Sequence, residues 1–163
     1  MTVNITKSDF NLREKLKELD GKLNKVDFPL TPSFRADLSN NQTIANNTIT
    51  KYAASTVHWD NFNGYNTTDY SYTIPIGGIY LITFMNWWGS SSGGRDIVML
   101  YINGINVARD YAYSPAGGTL SAEFVWNFSA GDVVTIYIQQ SSGGSLTFDG
   151  NNLNNGWTGT KIA

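Results

Sequence analysis

SYTIPIGGIYLITFMNWW, residues 71–88, sets the reading of the chain. β-branched and aromatic side chains fill it, broken only by Pro75 and the Gly77-Gly78 pair, which close one strand and open the next. Two strands are expected, Ser71 to Ile74 and Gly78 to Trp88. In the second, Tyr80 and Phe84 share a face, while Trp87 and Trp88 point to opposite faces because successive strand side chains alternate. One of those two indoles is directed away from the core of its own sheet.

The same pattern continues on both sides. Clear runs fall at Asp96 to Ile102, Leu120 to Phe128 and Val133 to Gln139. Shorter ones lie near Ser33 to Asp37, Ile49 to Lys51, Val57 to Trp59, Ile105 to Ala108, Leu146 to Phe148 and Gly156 to Ile162. Turn pairs separate them: Asn63-Gly64, Gly93-Gly94, Asn103-Gly104, Gly117-Gly118, Gly143-Gly144 and Asn155-Gly156. MLYINGINVAR, residues 99–109, is the sharpest hairpin signal. About ten short strands with turns at this spacing predict an all-β, two-sheet antiparallel sandwich over residues 34–163.

Composition agrees. Only 15% of the residues are charged against 41% hydrophobic and 13% aromatic, and Asn, Ser, Thr and Gly supply most of the polarity, as expected of a turn-rich β protein. The net charge of −2 gives no pull toward phosphate backbones or anionic lipid, so neither nucleic acid nor membrane insertion is expected. No apolar run approaches the ~18 residues of a membrane span, and the N-terminus has no apolar signal core. With no cysteine, disulfides, thiolate metal sites and Cys nucleophiles are excluded together.

Residues 1–33 are different. They hold six of the eleven Lys and Arg residues, and Leu12, Leu16, Leu19, Leu23 and Val26 follow at steps of 4, 3, 4 and 3, an a/d seam. Asn11 with Glu14 reads as an N-cap and capping box. The helix either joins copies of itself in a bundle or packs on its own head. Burying four Leu side chains contributes about 6–12 kcal/mol, against about 15–30 kcal/mol to order some fifteen residues; a stalk of two heptads therefore cannot hold an assembly alone. Pro29 and Pro32 end it.

Taken in order, the head motifs resemble the globular head of complement component one, subcomponent q, which shares its jelly roll with tumour necrosis factor. SFRAD offers Phe34 and Ala36; VHWDNFNGYN offers Trp59, Asn63 and Tyr65; YTIPIGGIYLITF offers Tyr72, Pro75, Gly78, Tyr80 and, displaced by two, Phe84. Gly131-Asp132 matches the family's Gly-Asp turn, and Trp157 with Gly159 its closing strand. The resemblance covers residues 33–163 and implies a jelly-roll homotrimer on a stalk, with binding as its function. The family's calcium sites have no matching acidic cluster here.

No catalytic or metal site is expected. His58 is the sole histidine, flanked by Val57 and Trp59 as a strand residue; Glu123 sits in an alternating strand; Asp132 belongs to a turn; Asp149, Asn151 and Asn152 lack calcium-loop spacing. Tyr80, Phe84, Trp88, Phe124, Trp126 and Tyr137 are expected in the core or at a threefold contact. Trp87, Arg95 and the loop aromatics Tyr111 and Tyr113 are candidate ligand contacts, aromatic plates with an Arg beside them suiting a sugar. Without cofactor or enzymatic chemistry, the expected role is a trimeric bacteriophage virion appendage, attached to another virion protein through its helix and binding a host-surface glycan. A purely structural cementing protein and a secreted recognition module are the alternatives.

Overall fold

The structure, a computed structural model, describes residues 31–88, 94–114, 118–150 and 155–163, with Lys15, Lys17 and Glu18. The chain divides into two units, Met1–Leu30 and Thr31–Ala163. In the first, Lys15, Lys17 and Glu18 are helical, and Lys15 Nζ pairs with Glu18 at 2.8 Å. The seam of Leu12, Leu16, Leu19, Leu23 and Val26 lies outside the described residues.

The second unit is built of strands: β1 (Ser33–Asp37), β2 (Gln42–Ile44), β3 (Thr50–Lys51), β4 (Thr56–Asp60), β5 (Tyr65–Asn66), β6 (Ser71–Thr73), β7 (Gly78–Trp87), β8 (Gly94–Ile102), β9 (Ile105–Ser114), β10 (Thr119–Phe128), β11 (Val133–Gln140), β12 (Leu146–Phe148) and β13 (Gly156–Lys161). One sheet runs β10-β7-β13-β1-β4, the other β5-β6-β11-β8-β9 with β3 also on β11, and β12 pairs with β2. All these pairings are antiparallel. This is the two-sheet jelly roll expected from the turn spacing.

Alternation decides what faces inward. Along β7, Tyr80, Ile82 and Phe84 are buried while Ile79 and Met85 are exposed; along β8, Val98 and Leu100 join the same core. Phe34 stacks on Tyr72 at 4.0 Å and meets Trp157 edge-on at 4.6 Å, tying the two sheets together at one end. Gly159 makes this possible, because a Cβ there would collide with the Phe34 ring. The segments flanking β1 and β13 are tied to the sheet: Lys161 N donates to Pro32 O at 2.9 Å and Ile79 N to Ala163 O at 2.8 Å.

Two expectations need correction. Tyr111 and Tyr113 are not loop residues, because β9 continues past Ala108 to Ser114, held by an unbroken register from Leu100↔Ala108 to Gly94↔Ser114. Strands β2 and β5 arise where the sequence carries no strand signal; β2 is ordered by its ladder with β12, Leu146↔Ile44 to Phe148↔Gln42.

Candidate functional site

Tyr80, Phe84, Trp88 and Phe124 lie inside the chain's own sandwich, at 0%, 2%, 0% and 6% exposure, and half-buried Trp126 packs against that core. Their strand positions point toward the facing sheet. Trp88 stacks on Phe148 at 3.8 Å and its Nε1 donates to Asp96 Oδ2 at 3.1 Å, so its side chain is part of the core. Trp87 is the outward member of the pair, half-buried, with its backbone N–H donating to Asn155 Oδ1 at 2.9 Å. Tyr137 is also outward, but on the six-stranded sheet.

The outer face of the five-stranded sheet exposes several large apolar side chains among polar ones. Ile79, Met85, Val125 and Trp59 are 38%, 42%, 62% and 48% exposed across β7, β10 and β4. Thr83 and Thr158 hydrogen-bond across its middle at 2.7 Å. Toward β4 sits a charged knot that sequence reading missed. Asp37, 6% exposed, accepts Arg35 Nε and Nη2 at 3.2 Å each and lies 2.5 Å from His58 Nε2. The bulge between Arg35 and Ala36 in the β1–β4 register brings His58 alongside Asp37. Arg35-x-Asp37 in one strand was the available signal, since residues two apart share a face. Glu123, on β10, stands exposed on the same sheet at its opposite side.

The other candidates gather on the β8–β9 hairpin. Arg95 holds its guanidinium 5.5 Å from the centre of the Tyr111 ring, which is 53% exposed, and Tyr113 is Arg95's register partner. Of the four expected ligand residues, the fold therefore assembles these three on one hairpin and leaves Trp87 on the opposite sheet. Asp132 caps its own turn, accepting Ser129 N and Asn103 Nδ2 at 2.8 Å each. Among the described residues no three His, Asp or Glu side chains gather as a metal site, and no helix is long and apolar enough to cross a membrane. Burial raises the hydroxyl pKa of Tyr52, Tyr65, Tyr72 and Tyr80, keeping all four neutral in the core.

No family model and no curated protein matches the sequence. Solved structures do match. Eiger, a tumour necrosis factor of S. frugiperda, aligns with TM-score 0.58 at 12% identity over 82% of this chain and 92% of its own. The globular domain of zebrafish complement 1qA aligns with TM-score 0.56 at 14% identity, over 81% and 98%, and murine APRIL with 0.60 at 12%, over 81% and 99%. At such identities the likeness speaks for architecture alone, and with the sheet order above it gives the head the jelly-roll fold shared by tumour necrosis factor and complement 1q globular domains.

Proposed function

We propose that this chain is a non-enzymatic recognition head that works as a homotrimer, carried on its N-terminal helix and presented on a bacteriophage particle to bind a carbohydrate on the host surface. The observation that carries the assembly is the apolar outer face of the five-stranded sheet. Side chains such as Val125, Trp59, Met85 and Ile79 are each 38–62% exposed, and covering one contributes roughly 1 kcal/mol. A threefold contact is heterologous, so two different patches of each copy must meet. The β10 side carries Val125 with Glu123, and the β4 side Trp59 with Arg35 and His58. Arg35 and His58 both contact the carboxylate of Asp37, so the exposed apolar side chains rather than charge support this contact.

The cysteine-free, Asn- and Gly-rich head supports a virion setting, where stability rests on packing without redox-sensitive staples. Arg95 over Tyr111 supports the carbohydrate reading.

Light scattering at micromolar concentration should give three protomer masses, and Val125→Asp should reduce this to one while the thermal midpoint of the head stays cooperative. A single protomer mass for the native chain overturns the assembly. A tagged copy should also co-sediment with purified particles; recovery only in the soluble fraction overturns the virion setting.

A further inference from the structure

The outer face of the six-stranded sheet carries positive charge on a chain whose net charge is −2. Register places Lys51, Tyr137, Met99 and Arg109 in one row across β3, β11, β8 and β9, with Gln139, Ile97 and Tyr111 in the next. Because directly paired antiparallel residues share a face, Lys51 and Arg109 stand at the two ends of the row, about 14 Å apart at ~4.8 Å per strand. Arg95 lies two residues beyond Ile97 on the same face. The two carboxylates of this hairpin fall on the other side: Asp96 is 2% exposed inside the sandwich, and Asp110 pairs with core residue Val98. No acidic residue shares the face among the described residues, and neither Arg95, Arg109 nor Lys51 makes an ion pair there.

Both guanidiniums are oriented. Arg95 rests over the Tyr111 ring at 5.5 Å, and Arg109 Nε donates to Asn106 Oδ1 at 2.6 Å. Such fixing leaves their remaining N–H groups preset for a planar anion, with less side-chain freedom to lose on binding. Tyr137 stands in the row between Lys51 and Arg109, with Tyr101 beside it 4.3 Å away and tilted 40°, and both are half-buried.

We infer that this face, centred on Arg95, Arg109 and Tyr111 and extended by Tyr101, Tyr137 and Lys51, binds an acidic polysaccharide, its carboxylate or sulfate groups on the cations and its sugar rings on the tyrosines. The inference rests on the carbohydrate reading above and narrows it to a charged glycan at a defined place. Nucleic acid offers the same two chemistries, but three separated cations on an acidic chain are far from the dense neutralisation a phosphate backbone requires. A trimer would present three such faces outward and gain avidity on a repeating chain.

Dextran and dextran sulfate, which differ only in charge, provide the test, with polygalacturonate as the carboxylate counterpart and a single-stranded DNA oligomer as the competing class. The full chain should bind at least one of the two anionic polymers about tenfold or more tighter than dextran, more weakly as salt rises. Arg95→Ala with Arg109→Ala should lower that affinity about tenfold or more with an unchanged thermal midpoint; Tyr111→Ala should weaken it and Tyr111→Phe should not. Equal affinity for dextran, equal or tighter binding of DNA, no binding of either anionic polymer, or indifference to the double substitution would each overturn the inference. Light scattering on the same samples separates the two claims: a monomer that still discriminates overturns only the assembly, and a trimer that does not discriminate overturns only the glycan face.

Discussion

Trp88 carries two obligations at once: its ring fills the end of the sandwich against Phe148, and its Nε1 donates to the 2%-exposed carboxylate of Asp96. Trp88→Ala removes both, so a loss of about 3–5 kcal/mol is expected in urea unfolding, whereas Trp88→Phe keeps the stacking and costs about 1–3 kcal/mol. Equal losses for the two would mean that the indole N–H contributes nothing. Gly156 is the second sensitive position. Its φ is +143°, and a Cβ would run into Asp37 Oδ1 and lie 2.9 Å from Ala36 O, so Gly156→Ala should cost about 2 kcal/mol or more and disturb the Arg35–Asp37–His58 knot. Alternation made it legible that Trp87 and Trp88 part company. The same alternation puts Trp88 on the face of Tyr80 and Phe84; that this face is filled from within the chain was not legible, because it depends on Phe148, sixty residues away in another strand.

The β8–β9 hairpin turns through Asn103 and Gly104, both with positive φ, 51° and 80°, the backbone of a type I′ turn whose twist matches the strands it joins. Asn103 also reaches across to the neighbouring connection, donating to Asp132 and accepting Val133 N, at 2.8 Å each. Asn103→Gly retains the backbone geometry and loses only those bonds, at about 1–2 kcal/mol; Asn103→Ala adds left-handed strain and should cost roughly 1 kcal/mol more. Thermal midpoints of the two variants in the same order check this. The turn was readable from Asn-Gly alone. The length of β9 was not, because RDYAYS has little apolar alternation to mark a strand and is held by its ladder to β8, while its aromatics read as loop residues. Strands β2 and β5 failed for the same reason: runs of two or three residues, with one apolar or aromatic side chain each, become strand only when a partner supplies the ladder. The candidate site suffered accordingly, since Tyr101, Arg109 and Lys51 join Arg95 and Tyr111 only through register across four strands.

At the scale of the whole molecule, division of labour between the parts is a prediction in its own right. In the proposed trimer two heptads would be too few to hold three chains, so Leu16→Asp, in the seam expected from the sequence, should leave the head's mass by light scattering unchanged; dissociation into single copies would transfer the assembly to that segment. Alkaline pH probes the core of the head. Tyr52, Tyr65, Tyr72 and Tyr80 all have hydroxyls whose pKa burial raises in the folded state, while in the unfolded chain each would ionise near ~10. Below that value neither state has lost these protons and their contribution to stability is complete. As pH rises past it, the unfolded state binds fewer protons than the folded one, so stability must fall, by about 1.4 kcal/mol per pH unit for each tyrosine. Four acting together would remove about 5 kcal/mol per unit, comparable to the whole stability of a domain. Urea midpoints should therefore hold steady to about pH 9 and collapse cooperatively toward about pH 11, with tyrosinate absorbance from these four appearing only as the fold is lost. Tyr72→Phe provides the sharpest control. The Tyr72 hydroxyl has no hydrogen-bond partner among the described residues, so removing it should leave stability at neutral pH equal or slightly higher while cutting the alkaline slope by about a quarter. A slope unchanged by Tyr72→Phe would show that these core tyrosines do not govern the alkaline transition.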